Sequence, residues 1–234
     1  MNPIKVATRE EWLIARKALL EKEKAHTRIK DEISLERQEL PWVKLDENYV
    51  FETETGKVSL AELFGDKSQL IVYHFMFGPE WAEGCKSCSF WADSFNGLEP
   101  HLNGRDIAFV AVSRAPMSSL MPFKKRMGWS FNWVSSHSNS FNADFNVSFS
   151  SDHNSENPAT YNFQEISSFP MEEAHGTSVF AKDEDDNIYH TYSTYGRGLD
   201  ITNAAYSYID MVPKGRDEPS EGNPMGWVKH HDAY

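Results

Sequence analysis

The sequence predicts an α/β fold with a central mixed sheet flanked by helices. Three observations carry this. Residues 70–77 are a continuous apolar run, aromatic and β-branched, and residues 105–113 carry Ile107, Phe109, Val110 and Val112; both read as buried strands. Stretches with helical spacing lie between and after them, and strands that alternate with helices form a parallel core. Further on, residues 177–180 and 188–193 flank the polar turn 182–187 and read as a hairpin, which adds an antiparallel edge.

The elements follow in chain order. Thr8-x-x-Glu11 is a capping box before an amphipathic run with Trp12, Ala15, Leu19 and Leu20 on one face. Residues 24–40 continue as a second helix or a bent extension, with Ile29, Ile33 and Leu40 as a sparse apolar side, and Pro41 ends it. Residues 43–58 alternate weakly around Thr55-Gly56-Lys57, a hairpin signal. Ser59-x-x-Glu62 opens a short helix over 60–64. After the strand 70–77, Gly78-Pro79 stops the chain and residues 80–84 form a loop. From Cys85, the residues Phe90, Trp91, Phe95 and Leu98 recur at helical spacing.

Ala115-Pro116 ends the strand 105–113, and a basic helix over 119–127 is closed by Gly128. Residues 131–134 read as a third strand. From 135 to 173 the composition shifts to Ser, Asn, Asp and Phe, a long loop insertion whose phenylalanines pack it onto the body. A Gly-rich turn at 195–198 leads to a last helix over 202–211, packed through Ala205, Tyr208 and Ile209. The expected organisation is an N-terminal helical arm over 1–41, a main domain over 42–212, and a tail over 213–234 packed on that domain.

Bulk properties narrow the function. The chain has 234 residues, 40% hydrophobic and 13% aromatic, enough to bury a core. A formal net charge of −12 argues against non-specific nucleic-acid binding and against anionic membranes, since both select a basic face. Residues 1–7 have no apolar core of a secretory signal, and no apolar run is long enough to span a bilayer. The expectation is a cytoplasmic protein. Two cysteines in such a chain are not a disulfide scaffold and read as catalytic or metal-binding. The charged arm packs against the domain or against a second copy of the chain, which makes a homodimer a candidate state beside the simpler reading of a surface helix.

Cys85-Lys86-Ser87-Cys88 carries the chemistry. A strand, a loop and C-x-x-C at a helix start is the arrangement of thioredoxin-like redox proteins. A thiol at a helix N-terminus meets free N–H groups and the positive end of the macrodipole, so more of it is thiolate, the nucleophilic form. Cys85 is the expected attacking thiol and Cys88, one turn on, the resolving thiol. Lys86 adds positive charge, while Glu80 and Glu83 oppose it. Trp81 is a candidate lip over the dithiol or a packing residue. Arg114, at the C-terminal end of a parallel strand, is a candidate anion ligand or salt-bridge partner, and Arg197 has the same two readings. His74, inside the central strand, reads as a core histidine. The acidic run 183–186 reads as a solvated turn.

The chain also resembles a whole family. Leu40-Pro41-Trp42-Val43, Tyr73-His74-Phe75-Met76-Phe77, Gly84-Cys85-x-x-Cys88-Ser89-Phe90-Trp91-Ala92-Asp93 and Val112-Ser113-Arg114-Ala115-Pro116 carry the resemblance. So do Arg126-Met127-Gly128-Trp129, His190-Thr191-Tyr192-Ser193, Arg197-Gly198 and His231-Asp232. The family is the thioredoxin-like one catalogued as domain of unknown function 899, described as predicted dithiol-disulfide oxidoreductases. The resemblance implies a thioredoxin-like fold and a dithiol-disulfide activity, and it names no substrate. The expected partner is a disulfide-containing protein or a small-molecule thiol, and no cofactor or resident metal is expected.

Two departures from the thioredoxin pattern bear on the site. Thioredoxins place Trp before the first cysteine, and here it is Gly84. They place a proline before the strand facing the site, and the matching position is His175-Gly176-Thr177. The absent proline leaves room for a metal or another substrate, and makes His175 and Gly176 candidate site-lining residues, with His175 a candidate proton donor. A thiol peroxidase is the second enzyme reading, but its Pro-x-x-x-Thr-x-x-Cys motif finds Ala82 at the Thr position and Gly78 at the Pro position. The remaining alternative is a non-catalytic protein whose C-x-x-C is structural or binds metal, with His230 or His231, His175, His137 or His153 completing a site.

Overall fold

A computed structural model describes residues 5–150 and 156–234. The chain forms two compact units, Met1–Pro41 and Trp42–Tyr234. The first holds one 30-residue helix, α1 (Arg9–Gln38). Thr8 caps it: its hydroxyl accepts from the Glu11 amide at 3.2 Å, and the Glu11 carboxylate accepts from the Thr8 amide at 2.8 Å. Residues 24–38 are therefore not a second helix. No glycine or proline falls between Arg9 and Gln38, so nothing in the sequence breaks the hydrogen-bond ladder.

The second unit starts with β1 (Val43–Lys44), β2 (Val50–Thr53), β3 (Gly56–Ser59), the one-turn α2 (Leu60–Leu63) and β4 (Gln69–His74). Then come α3 (Lys86–Ala92), α4 (Glu99–Asn103), β5 (Ile107–Ser113), α5 (Met117–Arg126) and β6 (Trp133–Ser135). A short α6 (Phe141–Asp144) and the hairpin β7 (Ala159–Tyr161) and β8 (Gln164–Ile166) precede β9 (Gly176–Lys182) and β10 (Ile188–Tyr195). A 3-10 segment, Gly196–Thr202, and α7 (Ala204–Ile209) follow.

The main sheet has the order β1-β10-β9-β4-β5-β6-β2-β3. β4, β5 and β6 are parallel, and β9 and β10 run antiparallel beside β4. Three parallel strands flanked by an antiparallel hairpin, with α3 following the central strand, make a thioredoxin-like fold. β1, β2 and β3 extend the sheet at its two edges.

Period-2 alternation sorts the core into two layers. Tyr73 and Ala111 face a cluster with Cys88 and Trp91 of α3, Leu120 and Phe123 of α5, and Tyr206 of α7. Leu70, Val72, Val110 and Val112 face the other way, onto Leu60 and Leu63 of α2 and Phe141 of α6. Burial on both faces is the reason these strands read as continuous apolar runs.

A polar ladder crosses the second layer. His74 Nε2 meets Ser178 Oγ at 2.8 Å, Ser178 Oγ meets Ser193 Oγ at 2.8 Å, and Ser193 Oγ meets His190 Nε2 at 2.7 Å. It ties β4, β9 and β10 in one register, since a slip of one residue would turn each group to the wrong face.

Several boundaries differ from the sequence reading. The central strand ends at His74, and Phe75–Phe77 leave the ladder while staying buried. Residues 43–44 pair with β10 rather than entering the hairpin, whose strands are β2 and β3. Residues 135–173 contain α6 and the β7–β8 hairpin, elements too short to show periodicity; their segment 151–155, with the candidate ligand His153, lies outside the described residues. The predicted helix over 202–211 is shorter, with Asn203 accepting from the Tyr206 amide as its cap at 3.0 Å.

Burial, with the His190 charge adding to it, pushes the His74 pKa down to about 3 from an ordinary 6.5. The unfolded chain therefore takes up a proton below pH 6.5 that the folded chain refuses. The neutral-His74 contribution is complete above that value and is lost on acidification, at about 1.4 kcal/mol per pH unit. Urea unfolding at pH 7, 6 and 5 should show this fall, with a shallower slope in His74→Gln. Equal slopes in the two proteins would contradict it.

Candidate active site

The site is built where the chain crosses from β4 to α3. Past His74, the Phe75 amide still donates to the Val112 carbonyl at 2.9 Å, and the Phe77 carbonyl accepts from the Ala115 amide at 2.8 Å. The loop then folds back, and the Cys85 amide donates to the Met76 carbonyl at 3.0 Å. Trp81 lies over Gly78, where a Cβ would sit 2.8 Å from its Nε1. Gly84 is pinned more tightly. A Cβ there would be 2.7 Å from the Phe123 ring and 2.8 Å from the Phe75 ring. No tryptophan fits before Cys85, which is the physical reason for that departure from the thioredoxin pattern.

Cys85 caps α3, and Cys88 lies one turn along it; both are free thiols. Cys88 is buried and Cys85 half-buried. The pair is electrostatically unequal. The neighbouring Cys88 thiol is the largest influence that lowers the Cys85 pKa, burial opposes it, and the nearby Cys88 and Ser87 amides and the Ser87 hydroxyl lower it further. The Cys85 pKa falls to about 7. Burial, and then the neighbouring Cys85 sulfur, push the Cys88 thiol well up. Since α3 has seven residues and the Cys85 side chain makes no cap hydrogen bond, the neighbouring Cys88 thiol and nearby amides, rather than a long macrodipole, favour the Cys85 thiolate. The Met76 amide reaches Cys88 Sγ at 3.4 Å. The Tyr73 hydroxyl is buried beside Cys88 and has no other hydrogen-bond partner among the described residues, so a Cys88 thiolate would find a donor there.

The C-terminal residues fasten this corner. His230 is buried, and its Nε2 donates to the Gly84 carbonyl at 3.0 Å, the peptide that precedes Cys85. Its ring packs edge-on against Phe123, 5.3 Å between centroids. His231 Nδ1 bonds Asp93 Oδ1 at 2.7 Å, and Trp129 Nε1 donates to the same oxygen at 2.9 Å. Asp232 accepts two bonds from Arg126, at 2.7 and 3.0 Å, and Arg126 also pairs with Glu83 of the loop.

The remaining predicted residues are distributed unevenly. Trp81 joins Cys85 and Cys88 in one cluster. Lys86 is the first residue of α3, exposed, and forms no ion pair among the described residues. Arg114 is engaged elsewhere: its Nε donates to buried Glu173 at 2.6 Å. His175 packs on Trp91 of α3 with ring centroids 5.7 Å apart, and its Nε2 is buried without a partner. Burial lowers its pKa. Gly176 begins β9 opposite His74 and Tyr195, and a Cβ on it would come within 2.6 Å of the Tyr195 ring. Tyr161 ties His175 to the next turn, donating to the His175 carbonyl at 3.0 Å and accepting from the Gly196 amide at 3.1 Å.

Ala82 brings no hydroxyl toward Cys85 at the peroxidase Thr position. His137 bonds the Arg114 carbonyl at 3.1 Å. Among the described residues no group of three His, Cys, Asp or Glu stands together to hold a metal, and no helix is long and apolar enough to cross a membrane. Sequence reasoning missed Tyr73 and Met76 as neighbours of Cys88, and weighed His230 only as a metal ligand.

Gly84→Ala should destabilise the protein by about 1–3 kcal/mol, because the methyl must displace two packed rings. His230→Ala should cost about 1–3 kcal/mol by leaving a buried carbonyl without a donor, and His230→Gln should recover part of it. Denaturant midpoints read both.

Residues 1–234, the whole chain, match the family described as "Bacterial protein of unknown function (DUF899)". Among curated proteins no relative matches. Among solved structures, a cysteine variant of Xanthomonas campestris peroxiredoxin Q is 15% identical, with a TM-score of 0.44, covering 68% of this chain and 90% of its own. Peroxidoxin BcpB from Mycobacterium tuberculosis is 16% identical with a TM-score of 0.46, covering 70% and 93%. A Chlorobium tepidum protein, described as a candidate thiol:disulfide interchange protein DsbE, is 13% identical with a TM-score of 0.40, covering 73% and 96%.

Proposed function

The chain belongs to this bacterial family of unknown function, and we propose that it is a thiol-disulfide oxidoreductase that cycles Cys85 and Cys88 between dithiol and disulfide. The observation that carries the reading is the inequality of the two thiols. Cys85 is half-buried with a pKa lowered to about 7, while Cys88 is buried, its thiol pushed well up, and lies beside the Cys85 sulfur.

The Cys85 thiolate attacks one sulfur of a substrate disulfide. A Cys85–substrate disulfide forms, the substrate S–S bond breaks, and the second substrate sulfur leaves as a thiolate that takes a proton from solvent. Cys88 then loses its proton and attacks Cys85 Sγ, closing the Cys85–Cys88 disulfide and releasing the first substrate sulfur as a thiol. Two electrons pass from the protein to the substrate. A dithiol or two small-molecule thiols return them by the reverse steps.

The Tyr73 hydroxyl and Met76 amide offer hydrogen bonds to the Cys88 anion during its attack. The neighbouring Cys88 lets resolution proceed without unfolding α3. Such a reductase acts in the cytoplasm, on a disulfide-containing protein or a small-molecule disulfide.

Alkylation of the reduced protein by iodoacetamide should label Cys85 first, with a rate that rises through a midpoint near pH 7. Equilibration against graded thiol buffers should give a reversible intramolecular disulfide. Cys85→Ser should abolish disulfide reduction with the fold intact, and Cys88→Ser should accumulate the mixed disulfide on Cys85. Retained turnover in Cys85→Ser, or two thiols that never pair, would overturn the assignment.

A further inference from the structure

Beside α3, past the dithiol, lies a cavity of about 300 Å³ that the thiol chemistry does not use. Trp91 and Tyr206 form its aromatic wall, edge to face at 5.8 Å, and Met225 adds an apolar side. Trp91 is fixed there, because its Nε1 donates to the Leu199 carbonyl at 3.0 Å.

The charged lining divides into engaged and open groups. Arg216 is engaged: two bonds to Asp210 at 2.8 and 2.9 Å, one to Asp200 at 3.0 Å, and its plane 3.8 Å over the Tyr206 ring. Asp200 Oδ2 is taken by that bond. Arg197 is open. Its side chain is 87% exposed, and among the described residues it reaches only the same Asp200 oxygen, at 3.3 Å. An exposed pair of that kind holds weakly. Glu218 uses one oxygen on the Tyr206 hydroxyl at 2.9 Å and forms no ion pair among the described residues. His175 lines the cavity with Nε2 buried and without a partner among the described residues. A buried ring nitrogen left unpaired is costly, and a ligand that bonds it removes the cost.

The cavity thus offers an open cation, an open carboxylate and an unpaired imidazole nitrogen, around an aromatic and thioether wall. We propose that it binds a small zwitterion of the amino-acid or short-peptide class. The ligand carboxylate pairs with Arg197, the ammonium group with Glu218, an amide or amine N–H meets His175 Nε2, and the aliphatic part lies on Trp91 and Tyr206. Trp91 is one helical turn from Cys88, so the ligand occupies the flank of the dithiol helix without touching its sulfurs in this assignment.

The test is calorimetric titration of the full-length Cys85→Ser protein with reduced glutathione, a tripeptide that carries an ammonium group, two carboxylates and amide N–H groups. Removing the attacking thiol separates binding from redox turnover, so failure here says nothing against the dithiol cycle, and the reverse. The expected result is saturable one-to-one binding. Arg197→Gln and Glu218→Gln should each weaken it about tenfold or more, the worth of one charge-assisted hydrogen bond. Both residues are at the surface of the cavity and their variants should fold, which circular dichroism checks. His175→Phe should weaken binding as well, and glutarate, a dicarboxylate without an ammonium group, should bind more weakly than glutathione. No saturable binding at millimolar glutathione, equal affinity in all three variants, or glutarate binding as well as glutathione would each overturn the proposal.

Discussion

The cysteine pair depends on a single backbone hydrogen bond, from the Cys85 amide to the Met76 carbonyl, at 3.0 Å. It returns the loop to the end of β4 and sets where α3 begins. Everything near it acts to keep that bond in place. Gly84 passes between Phe75 and Phe123 with no room for a side chain, and His230 holds the Gly84 carbonyl from outside. Trp81 rests on Gly78. Arg126, anchored by Asp232, fixes Glu83 beside the turn. The sheet supplies the rigid end, and residues almost a whole domain away in sequence supply the brace.

The inequality of the two thiols follows from that placement. Cys85 sits at the first turn, where N–H groups are not yet engaged in helix bonds, and Cys88 faces the packed layer over Tyr73 and Trp91. One sulfur gains donors and the other loses water. The same three-residue spacing on a solvent-facing helix would leave two similar thiols. The asymmetry is a property of the packing layer as much as of the C-x-x-C spacing.

Much of this was legible in the sequence. The runs around Val72 and Val110 announce buried strands because both faces are covered, and the C-x-x-C marks the helix start by its chemistry. The parallel core and its antiparallel edge could be read from the alternation of elements. What could not be read depends on contacts that leave no local pattern. The His230–Gly84 bond joins positions 146 residues apart. α6 is one turn long, and four residues cannot show a 3.6-residue period. β1 contributes two residues to the sheet edge, and only the partner strand defines it as a strand. The pairing of Arg114 with Glu173, or of Arg216 with Asp200 and Asp210, is a choice among many carboxylates that the fold alone makes.

The aromatic layer over the dithiol has an optical consequence. Of seven tryptophans in the chain, Trp91, Trp129 and Trp133 are buried in the cluster that contains Cys88, and Trp81 and Trp227 pack against it. Near-ultraviolet light absorbed by this protein is therefore collected mainly beside the two sulfurs. A disulfide accepts an electron from an excited indole and dims its emission far more than a protonated thiol does. In the proposed redox cycle the natural fluorescence of the chain would gauge whether Cys85 and Cys88 are joined.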